Sequence, residues 1–147
     1  MITLRPATAE DQQRIVAFIR AAHINPMNLK WSHFVLAIDA TSGALVGTGQ
    51  IKTHGDGSRE VASIAVAPDW QGRGIARQVI EHLLAQNAGT LFLTCRSSLE
   101  PLYARFGFRA VGPEKMTPYF RRLNLIAKGL LPLMRRGEKL RIMRRDA

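Results

Sequence analysis

The sequence predicts a mixed α/β fold in a single domain, and three observations carry that expectation. Short apolar strands alternate with amphipathic helices along most of the chain, a pattern that lays helices on the faces of a sheet. Residues 34–67 read instead as successive strands joined by tight turns, an antiparallel meander. The chain has 147 residues, 46% of them hydrophobic, enough to close one core without disulfide or metal staples.

Taken in order, Ile2–Arg5 is a strand ended by Pro6. Thr8 is an N-cap, and Glu10 and Asp11 fall in the first turn, where the helix dipole favours acidic groups. Ile15, Phe18, Ile19 and Ala22 then recur with helical spacing, so an amphipathic helix runs to about His23. Asn25-Pro26 breaks it, and a loop or short helix leads to Trp31. Phe34–Ile38 is a strand, Thr41-Ser42-Gly43 a turn and Ala44–Thr53 a second strand. His54-Gly55-Asp56-Gly57-Ser58 is a hairpin turn rich in residues that tolerate positive φ.

Glu60–Ala67 is the most apolar strand, ended by Pro68-Asp69. A glycine-containing turn follows, then a helix whose inward face is Ile75, Val79, Ile80, Leu83 and Leu84, stopped by Asn87-Ala88-Gly89. Leu91–Cys95 is a buried strand, Leu99–Phe106 a short helix and Phe108–Val111 another strand. Pro118 opens a helix through Lys128, where Gly129 and Pro132 interrupt it. After Gly137, Leu140 and Ile142 alternate with Lys139 and Arg141 in a last strand. No repeat, low-complexity tract or linker divides the chain.

Composition removes several classes of function. Ordinary apolar content excludes wholesale disorder and fibrous repeats. No uncharged apolar run approaches the roughly 18 residues of a membrane span. The opening Met1-Ile2-Thr3-Leu4-Arg5-Pro6 lacks the layout of a signal peptide. A single cysteine, Cys95, suits a reducing compartment, so a cytoplasmic location is expected. The net charge of +10 invites a nucleic-acid reading. Its distribution narrows that reading: residues 1–114 carry 11 basic and 9 acidic side chains, residues 115–147 carry 10 and 2. The excess belongs to the C-terminal segment, either as a docking surface or as the solvated face of an ordinary helix and strand.

The most informative stretch is Pro68-Asp69-Trp70-Gln71-Gly72-Arg73-Gly74-Ile75-Ala76-Arg77, between the most apolar strand and a helix. Two glycines in a strand-to-helix turn let a ligand approach the backbone closely, and the helix's opening N–H groups have no internal acceptor. Phosphate is the natural occupant. The Walker pattern is excluded by the missing Gly-Lys-Ser/Thr, and the dinucleotide fingerprint by Arg77 in the place of its third glycine.

What remains, Gln71-Gly72-Arg73-Gly74-Ile75-Ala76 after Ile64-Ala65-Val66-Ala67-Pro68, resembles the GNAT superfamily of acyl-CoA-dependent N-acyltransferases, whose signature at this junction is Arg/Gln-x-x-Gly-x-Gly/Ala. Leu102-Tyr103-Ala104-Arg105-Phe106-Gly107-Phe108 is similar to the family's second motif, aromatic-Tyr-x-x-x-Gly-Phe, with Leu102 in first place. The resemblance implies one N-acetyltransferase domain over residues 1–147 with a basic helical insert at about 115–136. It also implies a mixed, mostly antiparallel sheet, flanked by helices and splayed at the acyl-CoA site. Acetyl-CoA is the implied co-substrate, an unidentified amine the acceptor, and no metal is expected. The arm of the co-substrate is expected beside Ile64, Ala65 and Val66, and its pyrophosphate on the backbone of Gln71, Gly72, Arg73, Gly74, Ile75 and Ala76. Nucleic acid is not the expected partner, and monomer and homodimer stay equally open.

Amide formation needs two proton transfers. An alkyl amine with a pKa near that of lysine is roughly 3 units above neutrality, so on the order of one molecule in a thousand is free base. A general base assists its deprotonation, and an acid assists departure of the thiolate. Glu60, 11 residues before Gln71, stands where several family members place a catalytic glutamate. Strand alternation puts it on the face of Ile64 and so toward the cleft. The alternatives are pairing of Glu60 with Arg59 or Lys52, and ordered water as base. Tyr103 matches the family's acid; the alternative is a core tyrosine with a satisfied hydroxyl.

One departure is Arg96, seven residues before Tyr103, where the family often has Asn. Ser97 and Ser98 are expected to cap the following helix and replace some of its hydrogen bonding. His23, His33, His54 and His82 share no metal-ligand spacing, and Cys95 reads as core. Trp31 and Phe34 are candidates for an acceptor pocket or for core. In the insert, Leu123, Ile126 and Ala127 are expected to pack down. Arg121, Arg122 and Lys128 would then make the roof of the acceptor cleft cationic, suiting an amine that bears carboxylate or phosphate. Two other classes stay open: a module recruited to nucleic acid or membrane by its basic segment, and a non-catalytic acyl-CoA sensor.

Overall fold

In the computed structural model, which describes residues 1–130 and 138–146, the elements are β1 (Ile2–Pro6), α1 (Gln12–Ala21), β2 (Phe34–Asp39), β3 (Leu45–Thr53), β4 (Arg59–Val66), α2 (Ile75–Gln86), β5 (Leu91–Arg96), α3 (Glu100–Ala104), β6 (Arg109–Ala110), α4 (Pro118–Leu130) and β7 (Leu140–Arg145). The strands hydrogen-bond in the order β1-β2-β3-β4-β5-β7-β6. The fold is a mixed α/β sheet flanked by four helices, as the sequence predicts. Packing groups the chain into two compact units, Met1–Lys52 with Val61–Asn87, and Thr53–Glu60 with Ala88–Ala147.

In the first unit, β1 runs antiparallel to β2 from Ile2↔Asp39 to Pro6↔Val35, and β2 antiparallel to β3. The entry to α1 is held by charge as well as by its cap. Asp11 accepts the Thr8 N–H at 2.8 Å and a two-pronged pair from Arg5 at 2.8 and 3.1 Å. The Arg5 guanidinium holds the Asp11 carboxyl well below the usual carboxylate range. Ile15 and Ile19 turn inward from α1 and join Leu29, Phe34, Leu36 and Ala65 in one core cluster. On β3, two glycines let α2 come close. A Cβ on Gly47 would lie 2.8 Å from Ile75 Cγ2, and one on Gly49 would lie 2.5 Å from Val79 Cγ1. That approach buries the stripe of Ile75, Val79, Ile80 and Leu83 expected from the helix's spacing; Leu84, predicted inward, is only half-buried at its edge.

In the second unit, β7 lies between β5 and β6 and is antiparallel to both, while β5 meets β4 in parallel at Glu60↔Phe92. The core here is Phe92, Met116, Phe120 and Ile142, with the Phe92 and Phe120 rings stacked 4.6 Å apart. β7 does not keep the predicted alternation, because Ile142 and Met143 are both buried.

Several other boundaries shift for local reasons. The helix predicted at 99–106 is a 3-10 turn over Ser97–Leu99 followed by the single turn of α3, and the strand predicted at 108–111 contracts to Arg109–Ala110. Gly129 does not end α4, which runs on to Leu130, while Pro132 lies outside the described residues. Ile126, predicted to pack down, is 56% exposed. Phe120, at the helix's first turn, makes the burial instead.

Candidate functional site

The turn after β4 is shaped by its glycines. Gly72 and Gly74 both sit at φ +78, a left-handed backbone that side-chain-bearing residues adopt only at a cost. A Cβ at either would meet nothing within 4 Å, so the main chain there faces open space. The first bond from within α2 runs from the Gln78 N–H to the Gly74 carbonyl at 3.1 Å. The N–H groups of Ile75, Ala76 and Arg77 therefore have no acceptor inside the helix. The side chains stay off this concave surface. Arg73 folds back over the Trp70 ring at 4.5 Å and donates to the Asp69 carbonyl, and Arg77 pairs with Glu81 at 2.9 Å. Gln71 donates from Nε2 to the Val66 carbonyl at 3.2 Å, closing the end of the strand.

Alongside runs a cavity of about 610 Å³, lined by Ile64, Ala65, Val66, Ala67 and Gln71 and by Phe18 and Ala21 of α1. Its size falls within the roughly 300–1,000 Å³ usual for small-ligand sites. β4 is not a regular strand beside it. Ser63 takes φ +57, which for a residue with a side chain costs on the order of 1–2 kcal/mol. Two buried side chains of β3 hold it there: Thr48 Oγ1 donates to the Ser63 carbonyl, and Gln50 Nε2 to Ser63 Oγ, both at 2.8 Å. Burial nevertheless alternates through it, with Val61, Ser63 and Ala65 buried between less buried neighbours, and the alternation breaks only at Glu60, which is buried beside Val61. Glu60 thus does not share the burial of Ile64, the residue with which strand alternation pairs it.

The second unit gathers side chains. Glu60 is buried, and its partner is neither Arg59, which donates to the Ala88 and Thr90 carbonyls, nor Lys52, which donates to the Met27 carbonyl. Glu60 Oε1 lies 2.8 Å from His54 Nε2, and Oε2 lies 3.5 Å from Thr94 Oγ1. The His54 ring is stacked on Tyr119 at 3.6 Å and meets the edge of Phe120 at 5.7 Å. The Tyr119 N–H donates to Asp56 Oδ2 at 2.9 Å, so the start of α4 is bonded to the turn that carries His54. Hydrogen bonds from Ser58 and Tyr119 hold the Asp56 carboxyl down to about 2. Burial, with the charges of Glu60 and Asp56 adding to it, pushes the Tyr119 phenol up.

Tyr103 on α3 is half-buried, and burial, with Cys95 second, pushes its phenol above the usual value. Ser97 and Ser98 cap no helix. Ser97 Oγ accepts the Lys139 N–H at 3.1 Å, and Ser98 pairs with Glu138, so both secure the entry to β7. Phe34 is core, whereas Trp31 is 37% exposed. Cys95 is buried, its thiol pushed up to about 11 by that burial. Among the described residues no group of three His, Cys, Asp or Glu is arranged to hold a metal ion, and no helix is long and apolar enough to cross a membrane.

Sequence reading missed Ser63, Tyr119 and the part played by His54. A serine in a β-rich run carries no signal of left-handed backbone. The one hint for His54 was its position at the head of a hairpin turn six residues before Glu60.

A family model described as an acetyltransferase (GNAT) domain matches residues 30–110. Among solved structures, N-acetylglutamate synthase from Neisseria gonorrhoeae, complexed with coenzyme A and N-acetyl-glutamate, aligns at 22% identity and TM-score 0.73, over 99% of this chain and 35% of that one. Rv2747 from Mycobacterium tuberculosis, in complex with CoA, aligns at 19% identity and TM-score 0.75 over 99% of both chains. The ribosomal-protein-S18-alanine N-acetyltransferase from Escherichia coli aligns at 20% identity and TM-score 0.67, over 99% of this chain and 94% of that one. The chain thus spans about a third of the length of the synthase and nearly all of the other two. No curated protein matches it.

Proposed function

The chain belongs to the GNAT acetyltransferases, and from that premise we propose that it moves an acetyl group from acetyl-CoA to a primary amine of a small molecule or peptide. The observation that carries this reading is the turn at Gln71–Ala76, where two left-handed glycines bare the main chain ahead of α2 beside a cavity of fitting size. The N–H groups from Gln71 to Ala76 would take the pyrophosphate, where the helix dipole favours negative charge. Main-chain groups of Ile64, Ala65 and Val66 would pair with the pantetheine arm as with an added strand. A site made of main chain tolerates Arg73 folding away onto Trp70.

Glu60 is the proposed base and Tyr103 the proposed acid. As the amine nitrogen bonds to the acetyl carbon, Glu60, directly or through an ordered water, accepts the proton that nitrogen must shed. The bond from that carbon to sulfur breaks with its electron pair going to sulfur, and Tyr103 gives the sulfur a proton. Amine and thioester thus become amide and thiol, and exchange with solvent resets both side chains. The acid role is supported by the place of Tyr103 in the family's second motif; its raised phenol makes it a weaker acid than a free tyrosine.

Two of the three solved structures named above hold CoA, one of them with N-acetyl-glutamate. The third is named for N-acetylation of an alanine of a ribosomal protein, and together they support an acceptor of amino-acid or protein type. Exposed Arg121, Arg122 and Lys128 on α4 favour an acceptor that also bears carboxylate or phosphate. The single cysteine, Cys95, supports a cytoplasmic location. The test is release of free thiol from acetyl-CoA across a panel of amines. Carboxylate-bearing amines are expected to turn over and polycationic peptides poorly. Tight CoA binding without thiol release from any amine would instead mark a sensor.

A further inference from the structure

The Glu60 carboxylate is unevenly engaged. Its Oε1 faces His54 Nε2 at 2.8 Å, with the two side chains only 9% and 10% exposed, whereas Oε2 meets Thr94 at the long limit of a hydrogen bond. A carboxylate only accepts, so the proton of the short contact sits on Nε2. One oxygen is thereby tied and the other keeps capacity for another donor.

The imidazole is held in turn. Tyr119 covers its face with ring planes 12° apart, and Phe120 stands at its edge at 89°. Asp56 binds the first turn of α4 to the same hairpin turn. The groups packed around His54 are thus Glu60 from β4, Asp56 from its own turn, and Tyr119 and Phe120 from α4. Fixing a glutamate side chain costs rotamer freedom, and a base already fixed does not meet that cost at the moment of reaction.

We propose that His54 is a positioning residue for Glu60: its Nε2–H ties Oε1 and thereby presents Oε2 to the incoming amine or its water, while α4 clamps the imidazole through Tyr119. This rests on Glu60 being the base. It assigns the helical insert a part in the reaction that its charge does not suggest. The insert's first turn supplies the stacking surface on which the orientation of the base depends.

The test uses the full chain, acetyl-CoA and the best amine of the panel. His54→Phe preserves an aromatic ring against Tyr119 but has no N–H to donate, so it separates packing from positioning. It is expected to lower kcat about 10- to 100-fold while leaving KM for acetyl-CoA nearly unchanged. His54→Gln, which restores a donor without the ring, is expected to recover part of the loss. On a Glu60→Gln background, His54→Phe is expected to cost nothing further. Independently of any acceptor, the His54 Nε2–H proton should resonate far downfield by NMR and lose that shift in Glu60→Gln. An unchanged kcat in His54→Phe, or a loss that adds in full to that of Glu60→Gln, overturns the positioning role alone. Wild-type turnover in Glu60→Gln removes the base and this inference with it. Absence of thiol release from every amine overturns the transferase reading as a whole.

Discussion

The two compact units offer chemistry in different materials. The first offers main chain, with bare N–H groups ahead of α2 beside a cavity with apolar walls, while its nearby arginines fold onto Trp70 and Glu81. The second offers side chains: Glu60 against His54, His54 against Tyr119, and the raised phenol of Tyr103. A main-chain site depends on a local conformation and is insensitive to which side chains decorate it. A side-chain site depends on groups brought from distant parts of the chain, so single substitutions break it. Each experiment below strikes one of these materials.

The largest effects are expected in the second unit. Tyr103→Phe and Glu60→Gln should each lower kcat by about 10²- to 10⁴-fold, with CoA binding by calorimetry close to wild type. If both variants kept wild-type turnover, the division of labour between the units would be wrong. Next comes Phe120→Ala, which empties the core beneath α4. Its cost is about 3–5 kcal/mol, read as a lowered thermal midpoint, with loss of the His54 ring environment in NMR.

In the first unit a smaller loss is expected from the backbone itself. Gly74→Val forces a β-branched residue into a left-handed conformation costing on the order of 1–2 kcal/mol, so CoA affinity by calorimetry should drop about tenfold. Arg73→Ala removes a full charge beside the same turn yet should weaken CoA about threefold or less, because the arginine is exposed and turned onto Trp70. A larger loss from Arg73→Ala than from Gly74→Val would reverse the contrast.

Acid has a smaller effect, and one of the same sign in each unit. Asp56 is held at about 2, below the ordinary aspartate value, and a carboxylate so depressed stabilises the fold above that ordinary value. Its contribution is lost as pH falls from near 4 to about 2, so the contact between α4 and the hairpin turn should loosen across that window. Ring-current shifts of His54 and Tyr119 report it, and Asp56→Asn should flatten the dependence. Asp11, held low by Arg5, makes the same signed contribution at the start of α1.

Much of the fold is legible in the sequence because its signals are local. Helical spacing marks α1 and α2, proline and glycine punctuate β1 and the turn at residues 54–58, and each landed close to its place. Errors cluster where the residue's environment outweighs its neighbours in sequence. Gly129 does not end α4, Ile142 and Met143 are buried together in β7, and Ser97 and Ser98 bind the stretch before β7 instead of capping. Glu60 departs from strand parity at its own end of β4, where it is buried together with Val61, and Ser63 takes a left-handed backbone whose supports, Thr48 and Gln50, are 15 and 13 positions away.

The sequence by itself determined the glycine turn ahead of α2, the order of strands and helices, and the resemblance that the family match bears out, because each element and each motif is written in a short run of neighbouring residues. Only the tertiary structure decided what surrounds Glu60. Its hydrogen bonds reach 6 residues back to His54 and 34 forward to Thr94, and Asp56, on the turn that carries His54, binds the start of α4 from 63 residues away. Ser63 excepted, the turns and helices here follow from neighbours along the chain, whereas the company a buried carboxylate keeps is set by what the folded chain packs against it.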